Sequence, residues 1–285
     1  MKEISVVIPA YNEEKGIAGV LANLREVLEK NGFTYELIVV NDGSYDKTSE
    51  IVRQFPVILI ENPHNSGYGF SIVRGFGAAK YEYVAIIDAD GSYPAEALPE
   101  MAAKMDEGYD MVVGARQGKH YWESPFKAMA RFFFKALSEY AAAKKIDDIN
   151  SGLRIMRKSR VAPFIGDTCS TFSFTTSLTL ILMLNGLYVK YLPIQYLPRK
   201  GDSKIKLFRD TLRAGQVIIE AVVKYNPIKF YLLLVLGVLF ISLINFVLYA
   251  IWRLGEFWIS GVAGLFFGVL IFAIGLFATM FRGKR

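Results

Sequence analysis

The chain has 285 residues, with 33 Lys and Arg against 27 Asp and Glu, a formal charge of +6 and a pI near 9.2. At 53% hydrophobic and 21% charged residues, it is too apolar for an intrinsically disordered chain. The length suits one or two domains. The averages hide a partition, because in the 52 residues Phe230–Phe281 only Arg253 and Glu256 carry charge.

From the N-terminus the pattern alternates. Ile4–Ile8 is a short apolar run ended by Pro9, and Gly16–Lys30 follows with helical periodicity. Glu36–Val40 predicts a second strand, stopped by Asn41-Asp42-Gly43-Ser44, and Asp46–Gln54 a helix. Val57–Ile60 predicts a strand, Gly67–Lys80 a helix, and Tyr83–Ile87 a strand stopped by Asp88-Ala89-Asp90-Gly91. A helix near Pro94–Glu107 then leads to a last strand, Asp110–Val113. Strands of this length alternating with longer helices predict an α/β fold, a doubly wound and mostly parallel sheet. The first strand is too short for a signal-peptide core, so the bulk of the protein is expected in the cytosol.

Two apolar runs, about Phe230–Trp252 and Phe257–Phe281, are each long enough for a transmembrane helix. The link Arg253-Leu254-Gly255-Glu256 between Trp252 and Trp258 suits an interfacial turn. Lys224, Lys229, Arg282, Lys284 and Arg285 flank the open ends of this hairpin. The positive-inside rule then places the N-terminal domain and both termini in the cytoplasm. Gly261, Gly264 and Gly268 recur at helical spacing, which suits close packing on the first span, with homo-oligomerisation as a second reading. The expected division is a soluble domain over 1–204, a linker over 205–228 and the hairpin over 229–285. Phe126–Lys145 and Ile205–Tyr225 mix apolar and basic residues, as helices lying in a membrane interface or packed on the sheet would.

In doubly wound sheets ligands bind beyond the carboxyl ends of the strands, where the polar clusters of this chain fall. Asp88 and Asp90 at the mouth of a strand repel each other unless they share a cation. Mg²⁺ or Mn²⁺ with diphosphate oxygens would serve. Asp42 suits either acceptance from a base N–H or a turn and helix cap. Tyr11 and Glu13 suit a base or ribose, and Arg116 a phosphate. No G-x-G-x-x-G follows the first strand and no G-x-x-x-x-G-K-[ST] occurs, which disfavours a dinucleotide dehydrogenase and a P-loop NTPase. The lone Cys169 excludes an intrachain disulfide, and His64 and His120 are too few for a histidine-rich metal centre. The basic residues flank the apolar tail and the Arg199–Lys206 segment rather than forming one stripe, which disfavours nucleic acid as a partner.

Six ordered segments carry a family resemblance. They are Val7–Glu14, Asn41–Ser44, Asp88–Asp90, Gly114–Arg116, Asn150–Arg154 and Arg199–Lys204. Together they resemble family-2 glycosyltransferases of the polyprenyl- or dolichyl-phosphate sugar synthase type, of which dolichyl-phosphate mannose synthase is an example. One branch of that family has a two-helix C-terminal anchor. The resemblance implies a GT-A fold and inverting transfer from a nucleotide-sugar, GDP-mannose or a UDP-sugar, to polyprenyl phosphate. It implies that Pro9, Ala10, Tyr11, Glu13, Asp42, Asp88 and Ala89 bind the nucleotide, and that Asp88 and Asp90 hold the metal. It further implies catalytic roles for Asp90, Arg116, Arg199, Ser203 and Lys204, and contact of Ser151, Arg154 and Lys204 with the acceptor phosphate.

Two departures qualify the resemblance. Gly91-Ser92-Tyr93 stands where mannose synthases often carry a Gln, which leaves sugar and base open. Phe172–Ser177 offers only hydroxyls where many relatives have a Glu. A sugar hydroxyl acceptor needs a general base and an ionised phosphate does not, so this stretch favours a lipid phosphate. The alternatives are transfer to a sugar hydroxyl of a lipid-linked oligosaccharide and a catalytically silent membrane scaffold.

Overall fold

The computed structural model describes residues 2–118, 135–171, 173–199 and 207–280. It divides into two compact units, Met1–Val217 and Ile218–Arg285. The first unit is built on a seven-stranded sheet of order β3-β2-β1-β4-β6-β5-β7. The strands are β1 (Glu3–Ala10), β2 (Thr34–Asn41), β3 (Ile58–Glu61), β4 (Tyr83–Ile86), β5 (Met111–Gln117), β6 (Arg154–Arg157) and β7 (Val189–Gln195). Every neighbouring pair is parallel except the two that involve β6, which runs against β4 and β5. The carboxyl ends of β1, β2, β4 and β5 therefore meet at one edge.

Alternation along the strands decides the two faces. Ile4, Val6 and Ile8 of β1 join Leu37, Val39, Ala85 and Val112 on one side. There they pack against the helices α1 (Ile17–Lys30) and α4 (Leu98–Asp106). Ile17, Leu21, Leu24 and Leu28 fall on one stripe of α1 at the spacing a buried helix face requires. Val7, Ile38, Val40, Val84, Ile86 and Met111 face the other way. They meet Ile72 and Phe76 of α3 (Tyr68–Ala78) together with Phe174, Leu178 and Leu182 of the helix Phe174–Leu184.

Several boundaries differ from the expectation. The helix expected over Asp46–Gln54 is α2, only Thr48–Val52. Asp46 lies before it, with its carboxylate accepting from the backbone N–H and hydroxyl of Thr48, and Pro56 disfavours continuation. Asp110–Val113 is not the last strand. β6 and β7 follow, and β6 inserts between β4 and β5. Of Phe126–Lys145, residues 126–134 lie outside the described residues, and 135–142 are helix. The second mixed stretch is the helix Leu207–Tyr225.

The second unit takes in the end of the helix Leu207–Tyr225 and the helices Pro227–Trp252 and Gly255–Met280, the last two each long and apolar enough to cross a membrane. Only 6% and 17% of their apolar windows are buried, so neither is the core helix of a soluble fold. The chain turns at Arg253, whose left-handed φ of 56° closes the first helix with an N–H bond to Tyr249 O. Trp258 packs its ring near Phe246 and Tyr249.

The glycine stripe faces the first helix of the same chain. A Cβ at Gly261 would come within 2.8 Å of the Phe246 ring, and one at Gly275 within 2.6 Å of Tyr231 Cβ. At Gly264 it would collide with Ser242 Oγ, whereas at Gly237 it would meet nothing within 4 Å. Gly275→Leu is therefore expected to cost about 1–3 kcal/mol of helix packing and to lower the melting temperature of the detergent-solubilised protein. Gly237→Leu is expected to leave it unchanged in the same thermal scan.

Candidate active site

The loops after β1 and β2 are tied together by hydrogen bonds from the chain of each to side chains of the other. Asn12 occupies the left-handed region (φ 53°) that Asn tolerates better than most residues. Its N–H donates to Ser44 Oγ at 2.9 Å, and its Oδ1 accepts from Tyr45 N at 3.0 Å. Glu13 N donates to Thr48 Oγ1 at 2.8 Å and Asp42 N to Ala10 O at 2.8 Å. Tyr11 and the highly exposed Tyr45 then meet edge-on with centroids 6.3 Å apart. Pro9 and Ala10 are the last two residues of β1. The residues expected at a nucleotide are thus held on rigid, interlocked turns.

Asp42 is buried, and its carboxylate already has partners. Oδ1 accepts from Asn62 Nδ2 (2.6 Å) and Ser66 N (2.9 Å), and Oδ2 from Gly67 N (2.8 Å). The expected cap of the following helix is not what Asp42 forms, since its partners lie in the segment before α3. Asp42 holds the chain entering α3, whose first turn favours a negative charge.

Asp88 and Asp90 follow β4. Asp90 is 2% exposed; its Oδ1 accepts from Ser92 N at 2.9 Å and its Oδ2 from Arg199 Nε at 2.5 Å. Asp88 Oδ1 accepts from the Tyr68 phenol at 2.8 Å. Burial, and then the charge of Asp90, push the Asp88 carboxyl up to about 6, against the opposing pull of the Tyr68 bond and of Arg199 and Arg116. Tyr68 is held protonated by burial and by the facing carboxylate, so its phenol remains a donor.

Two glycines let backbone reach this turn. A Cβ at Gly16 would lie 2.7 Å from Ala89 O, and one at Gly152 2.7 Å from both Asp88 oxygens. A cavity of about 490 Å³ opens at the Gly91 turn, lined by Asn23, Tyr93, Leu197, Pro198 and Arg199 among others.

The raised pKa of Asp88 fixes the sign of one expectation. An acid whose folded pKa lies above the unfolded value destabilises the fold at neutral pH, and the penalty fades as pH falls from about 6 towards 4. Asp88→Asn is expected to raise the melting temperature of the metal-free protein at pH 7 by roughly 5 °C. That gain should shrink on acidification. A thermal scan over pH checks it.

Arg116, near the end of β5, forms a two-pronged pair with Asp148. Nε donates to Oδ2 at 2.7 Å and Nη2 to Oδ1 at 2.9 Å, with the Tyr196 ring 5.4 Å from the guanidinium. Asp42, Asp88, Asp90, Arg116 and Arg199 accordingly all sit at or beyond the carboxyl edge, as expected.

Ser151 and Arg154 do not face it. Both are fully buried. Ser151 Oγ donates to Gly114 O, and the Arg154 guanidinium donates to Ser151 O, Ile149 O and Thr179 Oγ1. The expectation that they meet an acceptor phosphate is corrected, since their donors brace the interior of the turn before β6. Ser203 and Lys204 lie outside the described residues.

Tyr68 and Asp148 escaped the sequence reading. Their partners, Asp88 and Arg116, are 20 and 32 positions away, and no periodicity connects them.

The glycosyl transferase family 2 model matches residues 5–175, more than half of the chain. The chain belongs to glycosyl transferase family 2. It is similar to the undecaprenyl-phosphate 4-deoxy-4-formamido-L-arabinose transferases of Salmonella paratyphi B and Salmonella newport. Each is 27% identical over 216 residues, covering 73% of this chain and 64% of the relative. The chain therefore spans just under two thirds of the length of those relatives.

Among solved structures it resembles glucosyl-3-phosphoglycerate synthase from Mycobacterium tuberculosis in complex with phosphoglyceric acid. That match has a TM-score of 0.64 at 19% identity, over 78% of this chain and 80% of the other. The same enzyme with Mn²⁺, UDP and glucosyl-3-phosphoglycerate gives 0.63 at 19%. These likenesses establish the GT-A fold of this family 2 chain, a mixed sheet with flanking helices.

Proposed function

We propose that this family 2 glycosyltransferase moves a sugar from a nucleotide-sugar to polyprenyl phosphate with inversion. The observation that carries the reading is the Asp88/Asp90 pair. Two mutually repelling carboxylates stand at the ligand edge, with a cationic group, Arg199, already seated on one of them. Hard carboxylate oxygens suit Mg²⁺ or Mn²⁺. Among the described residues no three His, Cys, Asp or Glu side chains gather, so Asp88 and Asp90 would share the ion with diphosphate oxygens and water. A bound ion supplies charge stabilisation for the leaving diphosphate.

The residues of this chain supply the rest. Tyr11 presents a ring to the base on the laced loops, and Pro9, Ala10, Glu13 and Ala89 shape the walls of the nucleotide site. Asp42 fixes the entry to α3 beside it. Asp90 and Asp88 orient the diphosphate end, and Arg199 moves from carboxylate to phosphate as the donor enters. Arg116, oriented by Asp148, together with Ser203 and Lys204, favours the anionic acceptor. An acceptor phosphate oxygen attacks the anomeric carbon, the bond to the diphosphate breaks, and the nucleoside diphosphate departs. No proton has to be removed from a phosphate that is already ionised. In keeping with this, Ser173, Thr175, Thr176 and Ser177 are buried, and Thr176 and Ser177 donate internally to Asn150 Oδ1 and Phe174 O.

The acceptor class rests on the names of the relatives and on the apolar hairpin. In this reading the two helices span the membrane, 1–204 forms the catalytic domain, and 205–228 links it to the anchor at 229–285. Both ends lie on the cytoplasmic side.

The test is direct. Membranes containing the protein are incubated with labelled UDP- and GDP-sugars, Mn²⁺ or Mg²⁺, and either polyprenyl phosphate or lipid-linked sugar. Labelled polyprenyl-phosphate sugar is expected. Label only in the lipid-linked oligosaccharide would assign a hydroxyl acceptor instead. No transfer, with no nucleotide-induced thermal shift, would point to a silent scaffold.

A further inference from the structure

A hydrogen-bonded line crosses the carboxyl edge of the sheet from the base-side loops to the Asp-x-Asp turn. At one end Asp42 accepts from the N–H groups of Ser66 and Gly67. The next residue, Tyr68, opens α3 and reaches across to Asp88 Oδ1 at 2.8 Å. Asp88 also lies against Gly152, where a Cβ would come within 2.7 Å of both carboxylate oxygens. The carboxylate is thus held by a phenol and packed against backbone, with the charge of Asp90 pushing against it. Without the phenol, that repulsion would turn Asp88 away from Asp90, and a cation shared between the two would lose a ligand.

We propose that Tyr68 is a positioning residue of the cation site, its phenol holding the Asp88 carboxylate in the orientation that receives a divalent ion together with a nucleoside diphosphate. This rests on the donor-site reading above, and Tyr68 touches neither the sugar nor the acceptor. A neutral donor on Oδ1 leaves the other oxygen to the ion.

The experiment uses the full chain in detergent and the variant Tyr68→Phe, which removes one oxygen and keeps the ring. Binding of Mn²⁺ is followed by the electron paramagnetic resonance of the free ion, with UDP or with GDP present. Nucleotide binding in EDTA is measured separately by calorimetry.

In Tyr68→Phe the Mn²⁺ affinity of the nucleotide complex is expected to fall roughly ten- to a hundredfold, as for the loss of a hydrogen bond that orients a metal-ligating carboxylate. Nucleotide affinity in EDTA is expected to stay at the wild-type value, which a general loosening of the fold would not spare. The melting temperature at pH 7 is expected to fall modestly, because the phenol favours the ionised Asp88 carboxylate. Unchanged Mn²⁺ affinity would overturn the proposal, and so would an equal loss of nucleotide binding in EDTA, which would make Tyr68 part of the nucleotide site. If wild type bound no Mn²⁺ with either nucleotide, the donor-site reading would fall and this inference with it. That failure is visible in the wild-type arm alone.

Discussion

Asp90→Asn is expected to lower sugar transfer roughly a hundred- to a thousandfold while leaving the fold in place, the scale associated with removing a preorganised electrostatic group from a transition state. The substitution is nearly isosteric, and the amide oxygen still accepts from Ser92 N, so the turn after β4 survives. What disappears is the negative charge that now holds Arg199 at 2.5 Å and would hold a divalent ion during turnover. Arg199 is 30% exposed at its side chain, so losing its partner returns it to water rather than stranding a buried cation. The check is release of nucleoside diphosphate with saturating Mn²⁺, beside circular dichroism and a melting scan. Near-wild-type turnover would remove Asp90 from the mechanism.

How legible the molecule was depended on the kind of signal. β1, α1, β2, α3 and β4 were readable because each buries a face whose period shows in the residues, as with Ile17, Leu21, Leu24 and Leu28. The carboxyl-edge clusters were readable because polar residues stop those strands. β6 was not, since Arg154–Arg157 is four residues long with a charge at each end and shows no alternation to an eye that expects surface arginines. β7 carries Pro193 and lies at the sheet edge, where a missing donor is tolerated. Asp88 and Asp90 stood out as a pair, but Tyr68 and Asp148 act through contacts that only the fold creates. Asp42 was expected at a turn or as a cap of the following helix, but its partners, Asn62, Ser66 and Gly67, lie beyond β3, and no local pattern connects them.

Arg154→Ala is expected to destabilise the fold by about 3–5 kcal/mol, and this sets the reading of Arg154 as an acceptor-phosphate ligand against its observed place. The side chain is 0% exposed. Its Nε donates to Ser151 O at 2.8 Å, Nη2 to Ile149 O at 2.9 Å, and Nη1 to Thr179 Oγ1 at 2.7 Å. One guanidinium therefore joins the turn before β6 to the helix Phe174–Leu184. Alanine would leave two carbonyls and a hydroxyl without these donors and open a cavity in the sheet's interior. Together these cost about 3–5 kcal/mol, a large share of a domain's usual stability. Lysine would keep the charge but lose the planar fork that serves three acceptors at once, so Arg154→Lys should also melt early. Denaturant titration and folded yield of both variants decide the matter. A ligand to the acceptor phosphate would behave differently, with alanine melting like wild type and showing only a raised KM for polyprenyl phosphate. That outcome would require the guanidinium to leave the interior, against the desolvated, fully hydrogen-bonded position it occupies.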